Sequence, residues 1–269
     1  MTEPANPHDY WVLKIKNANK TTLLRRVIII NCELWQGDCL DLMKNISNES
    51  IDMVLCDLPY GTTMNEWDNP LPFDKMWEQY NRIVKDNGAI VLFSQMPFTA
   101  QLVASNFKMF RYEWIWQKSK CTGFMNAKKM PLKSHENICV FYKKLPTYNP
   151  QGIITGVSIK TGRSRKGNSR NYGKTGCGNP EYIQTTSNYP KDIIAFSNPS
   201  NKGHQHPNQK PIDLLEYLIR TYTNEGETVL DNCMGSGSTG VACVNTNRDF
   251  IGIEIEQSSF DIAKQRIYQ

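Results

Sequence analysis

The chain has 269 residues, enough for one large domain carrying an insertion. Hydrophobic residues make up 39% of it, and no apolar run approaches the roughly 20 residues that span a bilayer, so a soluble protein is expected. The formal charge of +5 is unevenly spread: Lys143 to Lys174 holds eight Lys or Arg and no Asp or Glu, which leaves the remainder net negative by three. Attraction for a polyanion is thereby concentrated in one segment.

The opening residues Met1 to Trp11 lack the basic start and apolar stretch of a secretory signal, so a reducing cytoplasm is expected. Eight cysteines are present without a C-x-x-C pair and without histidine at ligand spacing, and they read as free thiols. No metal site is expected.

In chain order, periodicity predicts a short strand at Val27 to Ile30, a helix from Cys39 to Ile46 and a strand from Ile51 to Cys56 that ends in Asp57-Leu58-Pro59-Tyr60-Gly61. A helix is predicted from Phe73 to Val84, a turn at Asn87-Gly88 and a strand from Ala89 to Ser94. Another helix follows at Phe98 to Asn106, then strands at Tyr112 to Gln117 and Asn137 to Tyr142 around a Lys-rich loop. Residues 145–205 are rich in Gly, Asn, Ser, Thr and Pro and show neither period, as a long insertion would. Regular alternation resumes with a helix from Pro211 to Tyr222, a strand at Thr228 to Leu230, and a glycine-rich turn leading into a helix through Asn245. A strand at Phe250 to Ile255 and a helix at Ser259 to Ile267 complete it. Alternating strands and helices imply an α/β fold with a largely parallel sheet covered on both faces.

Two constellations carry chemistry. The run from Val229 to Gly240 places Asp231 at a strand end before a loop with Gly235, Ser236 and Gly237 that opens a helix; glycines there let a ligand approach the backbone. Seventeen residues after Gly237, Glu254 ends the next strand, where a carboxylate can hold both hydroxyls of a ribose. Gly235, Gly237 and Gly240 also satisfy a dinucleotide fingerprint, so an NAD-dependent oxidoreductase is one reading. Against it, Asp231 would repel a pyrophosphate but attract an ammonium group, and little chain follows Glu254. A plain glycine turn capped by Asp231 is the structural alternative.

The second constellation, Asp57-Leu58-Pro59-Tyr60, follows a strand and so lies where open α/β sheets place active sites. If Asp57 and the Leu58 carbonyl accept the two hydrogens of an aromatic amine, its delocalised lone pair can localise for methyl transfer. Pro59 would fix the turn, and Tyr60 would stack on a base flipped out of the duplex. An Asx-type turn with Tyr60 on the surface is the alternative.

Together these motifs resemble the β-class, circularly permuted DNA amino-methyltransferases, in which the catalytic motif precedes the cofactor loop. The resemblance runs from Trp35 to Ile267. Gln36-Gly37-Asp38-Cys39 is similar to the family's Gly-Asp element, and Asp57 to Tyr60 to its D-P-P-Y. Trp116 to Lys118 and His135-Glu136-Asn137 to Tyr142 are similar to its W-x-K and H-E-x-I elements. His206 to Pro211 resembles H-P-T-Q-K-P, and Asp231 to Gly237 resembles D-x-F-x-G-S-G. Leu58 replaces a proline of the family pattern, and Met234 a phenylalanine.

The resemblance implies a Rossmann-like methyltransferase sheet with S-adenosylmethionine as cofactor, held by Asp38, Cys39, Asp57, Lys210, Asp231, Met234, Gly235, Ser236, Gly237 and Glu254. It implies methyl transfer to N6 of adenine in double-stranded DNA by base flipping, within a restriction-modification setting. Asp57 rather than Ser disfavours the N4-cytosine alternative, and an inactive DNA-binding protein is the remaining rival. Lys118, Arg163, Arg165, Lys166 and Arg170 are the expected DNA contacts. The expected organisation is an extension at 1–31, a catalytic half at 32–144, a target-recognition insertion at 145–205 and a cofactor half at 206–269. A homodimer and a cognate restriction endonuclease are the candidate partners beyond DNA.

Overall fold

The computed structural model describes residues 11–17, 28–61, 69–161, 181–198 and 209–268. In chain order the elements are β1 (Trp11–Asn17), β2 (Ile28–Gln36), α1 (Cys39–Leu42), β3 (Ile51–Asp57), α2 (Phe73–Ile83) and β4 (Val84–Ser94). Next come α3 (Phe98–Ser105), β5 (Phe110–Thr122), β6 (Lys133–Phe141), β7 (Ile154–Thr161), β8 (Glu181–Ser187) and β9 (Ile193–Phe196). The chain ends with α4 (Ile212–Tyr222), β10 (Thr228–Asp231), α5 (Ser238–Asn245), β11 (Asp249–Glu254) and α6 (Gln257–Tyr268).

Nine strands form one sheet in the order β1-β2-β11-β10-β3-β4-β6-β5-β9. The run from β2 to β4 is parallel, while β1 and the β5–β6 hairpin join antiparallel. Central strands alternate sides: Met53 and Leu55 of β3 point to one core, Val54 and Cys56 to the other. The first core takes α4, α5 and α6 through Leu214, Leu218, Ala242 and Phe260; the second takes α1, α2 and α3 through Cys39, Met76, Trp77 and Phe98. Both faces of the sheet are therefore covered, as all-parallel strands require.

This arrangement fixes where a ligand can sit. From β3 the chain crosses to β4 on one side, and from β10 it crosses to β11 on the other, so the strand order reverses between β3 and β10. In open α/β sheets the crevice lies at the carboxyl ends of such a pair. Asp57 ends β3 and Asp231 ends β10.

Pro150–Lys191 forms a compact unit of its own, containing the antiparallel pair β7–β8 and a link from the Asn188 amide to the Gly152 carbonyl at 2.7 Å. It is narrower than the expected insertion of 145–205, because β9 pairs parallel with β5 and so belongs to the large sheet. Strands β1, β7, β8 and β9 were not anticipated from periodicity. β1, in the segment expected to be only an extension, pairs with β2 over seven residues.

Candidate active site

Four acidic residues stand at the carboxyl ends of four neighbouring parallel strands. In sheet order they are Asp38 just past β2, Glu254 closing β11, Asp231 closing β10 and Asp57 closing β3. The row crosses three strand spacings of about 4.8 Å each. A hydrogen bond from the Gly37 amide to the Glu254 carbonyl at 2.9 Å ties the first two positions together. Asp38 is exposed and caps α1, accepting from the Leu40 amide at 2.7 Å.

Asp231 is buried, and its donors are the Thr239 hydroxyl at 2.6 Å, the Cys233 amide at 3.2 Å and the Cys56 thiol, all neutral. Burial raises its carboxyl to about 7, more than these donors lower it. Glu254 is also buried and accepts from the Gly235 and Glu256 amides, each at 2.8 Å; burial raises it as well. Between them the loop turns through positive φ at Gly235 (51°) and Gly237 (77°), a conformation that side chains resist. A Cβ on Gly235 would meet nothing within 4 Å, whereas one on Gly237 would strike Ala263 of α6. Gly235 thus faces open space and Gly237 permits the close approach of α6. Two buried carboxylates with no cationic donor among the described residues, flanking an open glycine loop, fit a ligand with an ammonium group and a ribose.

Asp57 accepts the Tyr60 hydroxyl on Oδ1 at 2.6 Å and the Lys210 ammonium on Oδ2 at 2.5 Å. The Tyr60 ring lies against Phe98 with centroids 4.9 Å apart, and burial followed by the Asp57 charge pushes its phenol well up. Leu58 is buried, which orients the turn, and Pro59 is half-buried. Lys210 also reaches Glu136 Oε2 at 3.3 Å, and Lys118 pairs with Glu136 Oε1 at 2.6 Å.

Several expected roles change. Lys118, expected as a DNA contact, has a side chain only 8% exposed and paired with Glu136. Lys210, expected at the cofactor, pairs with Asp57 and Glu136 beside the Asp57–Tyr60 turn. Met234 does not present an open face; it packs in the core, where a Cβ on Gly252 would collide with its sulfur. The Cys39 thiol is likewise turned inward, toward Cys233 and the Asn232 amide at 3.7 Å. Ser236 is buried and held by Arg266. Arg163, Arg165, Lys166, Arg170 and His206 to Asn208 lie outside the described residues.

Glu136, Phe98, Thr239 and Arg266 belong to the site without having been assigned to it. Glu136 had a signal, its place in the H-E-x-I element; the other three are brought in by packing that no local pattern encodes.

An open α/β sheet with a glycine loop and a row of acids at its switch point defines a Rossmann-like methyltransferase architecture. The chain belongs to the DNA methylase family, whose model matches residues 51–265. It is 28% identical to the type II methyltransferase M.HpaI of Haemophilus parainfluenzae over 252 residues, covering 86% of this chain and 72% of that one. It is also 28% identical to the DNA adenine methyltransferase YhdJ of Escherichia coli, covering 86% and 81%. Among solved structures, M1.HpyAVI in complex with SAM shares the fold with a TM-score of 0.60 at 23% identity, covering 88% of this chain and all of that one. The cytosine-N4-specific PvuII DNA methyltransferase shares it with a TM-score of 0.64 at 17% identity, covering 88% and 86%. No described helix is long and apolar enough to cross a membrane, and no described cluster of His, Cys, Asp or Glu could hold a metal ion.

Proposed function

We propose that the protein methylates N6 of adenine in double-stranded DNA, with S-adenosylmethionine as methyl donor. The observation that carries this reading is the placement of Asp57 and Asp231 at the ends of adjacent strands across the switch point. A cofactor site and an amine-acceptor site thereby adjoin.

S-adenosylmethionine, when bound, supplies a methyl group made electrophilic by its sulfonium. Asp231 is placed to take an ammonium group and Glu254 a ribose, with Gly235 leaving room beside them. Asp57 has about four acceptor positions and uses two, on Tyr60 and Lys210, so an amino hydrogen of the target base can be accepted as a third. The Leu58 carbonyl would take the second hydrogen. Holding both frees the nitrogen lone pair, and rate then comes from positioning and charge.

A duplex partner is supported by the β5–β6 hairpin. From Ser119 to His135 it carries four lysines and no acidic residue, and Met125 at its tip is 100% exposed. β6 runs antiparallel to β4 with Asn137 opposite Ser94, so this tip projects from the same edge as Asp57. The basic run around Arg163, Arg165, Lys166 and Arg170 is the second expected contact, with residues 145–205 as the recognition segment. The catalytic strand preceding the cofactor strand fits a permuted chain order. Cytoplasmic function beside a cognate endonuclease accords with the type II relative, and a homodimer is the assembly to test by sedimentation.

N4-cytosine methylation is the second reading, favoured by the fold shared with the PvuII enzyme. Asp57 in place of Ser argues for adenine. Mapping modified bases in DNA from cells expressing the protein decides between them: N6-methyladenine at one sequence is expected, and N4-methylcytosine alone reverses the assignment.

A further inference from the structure

Asp57 is the last member of a chain of alternating charges. Lys118 pairs with Glu136 Oε1 at 2.6 Å, Glu136 Oε2 faces Lys210 at 3.3 Å, and Lys210 donates to Asp57 Oδ2 at 2.5 Å. Side-chain exposures are 8% for Lys118, 11% for Glu136, 13% for Lys210 and 30% for Asp57, so the chain opens to solvent only at its Asp57 end. Two ammonium groups and two carboxylates balance, which is what lets four charges lie this deep. The lysine stems rest on aromatic faces, Lys118 over Trp116 and Lys210 over Phe93.

A lysine is a compact charge on a flexible stem, and one carboxylate does not fix where its nitrogen sits. Lys210 is held by two, reaching it from different strands: Asp57 ends β3 and Glu136 lies on β6, beside the Asn137–Ser94 pair. With Lys210 fixed, Asp57 is fixed too, because Tyr60 holds its other oxygen. Burial works against the charged forms of Glu136 and Lys210. Their partners outweigh it, so the carboxyl is held low and the ammonium high.

We propose that Glu136 is a positioning residue for methyl transfer: as the common anchor of Lys118 and Lys210, it sets the orientation of the Asp57 carboxylate without touching substrate. The inference rests on the reading of Asp57 as the acceptor of the target amine.

The test uses Glu136→Gln, and the double variant Lys118→Met with Glu136→Gln, in which no buried ammonium is left without its counter-charge. Single-turnover methyl transfer is measured at saturating S-adenosylmethionine on unmodified genomic DNA, with Asp57→Ala run in parallel. S-adenosylhomocysteine affinity is read by calorimetry. The double variant should bind S-adenosylhomocysteine within about two-fold of wild type yet transfer methyl roughly 10- to 100-fold more slowly, with KM for DNA little changed, as sub-ångström misplacement at a reacting centre predicts. A rate within two-fold of wild type while Asp57→Ala is inactive overturns the positioning role alone. A parallel loss of S-adenosylhomocysteine binding also overturns it, since the network would then support the fold. If Asp57→Ala itself keeps its rate, the proposed function fails instead.

Discussion

Arg266 of the last helix clamps Ser236 of the glycine loop, donating from one nitrogen to the Ser236 carbonyl at 2.5 Å and to its hydroxyl at 2.9 Å. The same nitrogen reaches the Ser238 hydroxyl at 3.3 Å. The neighbouring amides are held separately, Gly235 by Glu254 at 2.8 Å and Gly237 by the Met234 carbonyl at 2.8 Å, while Arg266 holds Ser236 between the two positive-φ glycines. Arg266→Met keeps the stem and removes the donors. Charge-assisted hydrogen bonds contribute about 1.5–3 kcal/mol, so S-adenosylhomocysteine affinity should fall roughly 10- to 100-fold by calorimetry. The methylation rate at saturating cofactor should change far less. Unaltered affinity would mean the loop holds its shape without the clamp.

Asp231 gives cofactor binding a pH dependence. Its carboxyl lies at about 7 in the free protein because of burial, and a bound ammonium group would favour the charged form. Affinity for S-adenosylhomocysteine should be full above about pH 7 and weaken as pH falls through 7, by up to about tenfold per unit. Proton release on binding should appear near pH 6 in calorimetry across buffers of differing ionisation enthalpy. The folding contribution runs the other way. With its folded value above the unfolded one near 3.9, Asp231 stabilises the free fold most below pH 4 and loses that contribution as pH rises through 7. Asp231→Asn should abolish the proton release.

Gly252 is required by packing rather than by the ligand. A Cβ there would collide with the Met234 sulfur and the Phe250 ring, both in a close-packed core. Gly252→Ala should lower stability by about 1–3 kcal/mol, the usual cost of overpacking, as a reduced denaturation midpoint. Combining it with Met234→Ala should recover part of that loss. No recovery would place the clash on Phe250 alone.

Most strands and helices of the two halves are legible because their periods are strong and each ends in a turn signal, although β2 runs on beyond the expected Val27 to Ile30 as far as Gln36 and α1 stops at Leu42 rather than Ile46. β3 runs from Ile51 to Asp57 and β10 from Thr228 to Asp231, each one residue beyond the expected strands Ile51 to Cys56 and Thr228 to Leu230. β9 was not legible: Ile193–Phe196 is four residues, and only its pairing with β5 makes it a strand. β1 likewise depends on β2 for its definition. At the site, Asp57, Asp231 and Glu254 could be read because each closes a strand. The surroundings of Lys118 are not legible for the opposite reason. A lysine in a basic loop looks solvated until the fold sets Glu136 beside it from the neighbouring strand.

Two basic segments can be separated by salt dependence. Lys128 and Lys129 lie exposed on the β5–β6 hairpin, and Arg163, Arg165 and Lys166 lie in the acid-free run. Removing one cation that neutralises a phosphate should reduce the slope of log affinity against log salt by about 0.9. Neutralising the hairpin pair should therefore flatten it by up to about two, and the triple change by up to about three. A slope left unchanged by either set removes that segment from the DNA interface.

The last prediction divides catalysis from stacking at one turn. Asp57→Ala removes the acceptor for the target amine and should eliminate nearly all methyl transfer while DNA affinity changes little. The Tyr60 hydroxyl is on Asp57 and its ring against Phe98, so two substitutions probe different losses. Tyr60→Phe keeps the ring and gives up one hydrogen bond, about 1 kcal/mol, for a roughly five-fold slower rate. Tyr60→Ala also gives up stacking on the flipped base, an interaction of about 1–3 kcal/mol, and should be slower by a further five- to 150-fold. Single-turnover rates on a duplex containing the mapped methylation site check the order wild type, Tyr60→Phe, Tyr60→Ala, Asp57→Ala. Equal rates for the two tyrosine variants would assign Tyr60 to holding Asp57 alone. An Asp57→Ala variant near wild type would move the active site away from β3.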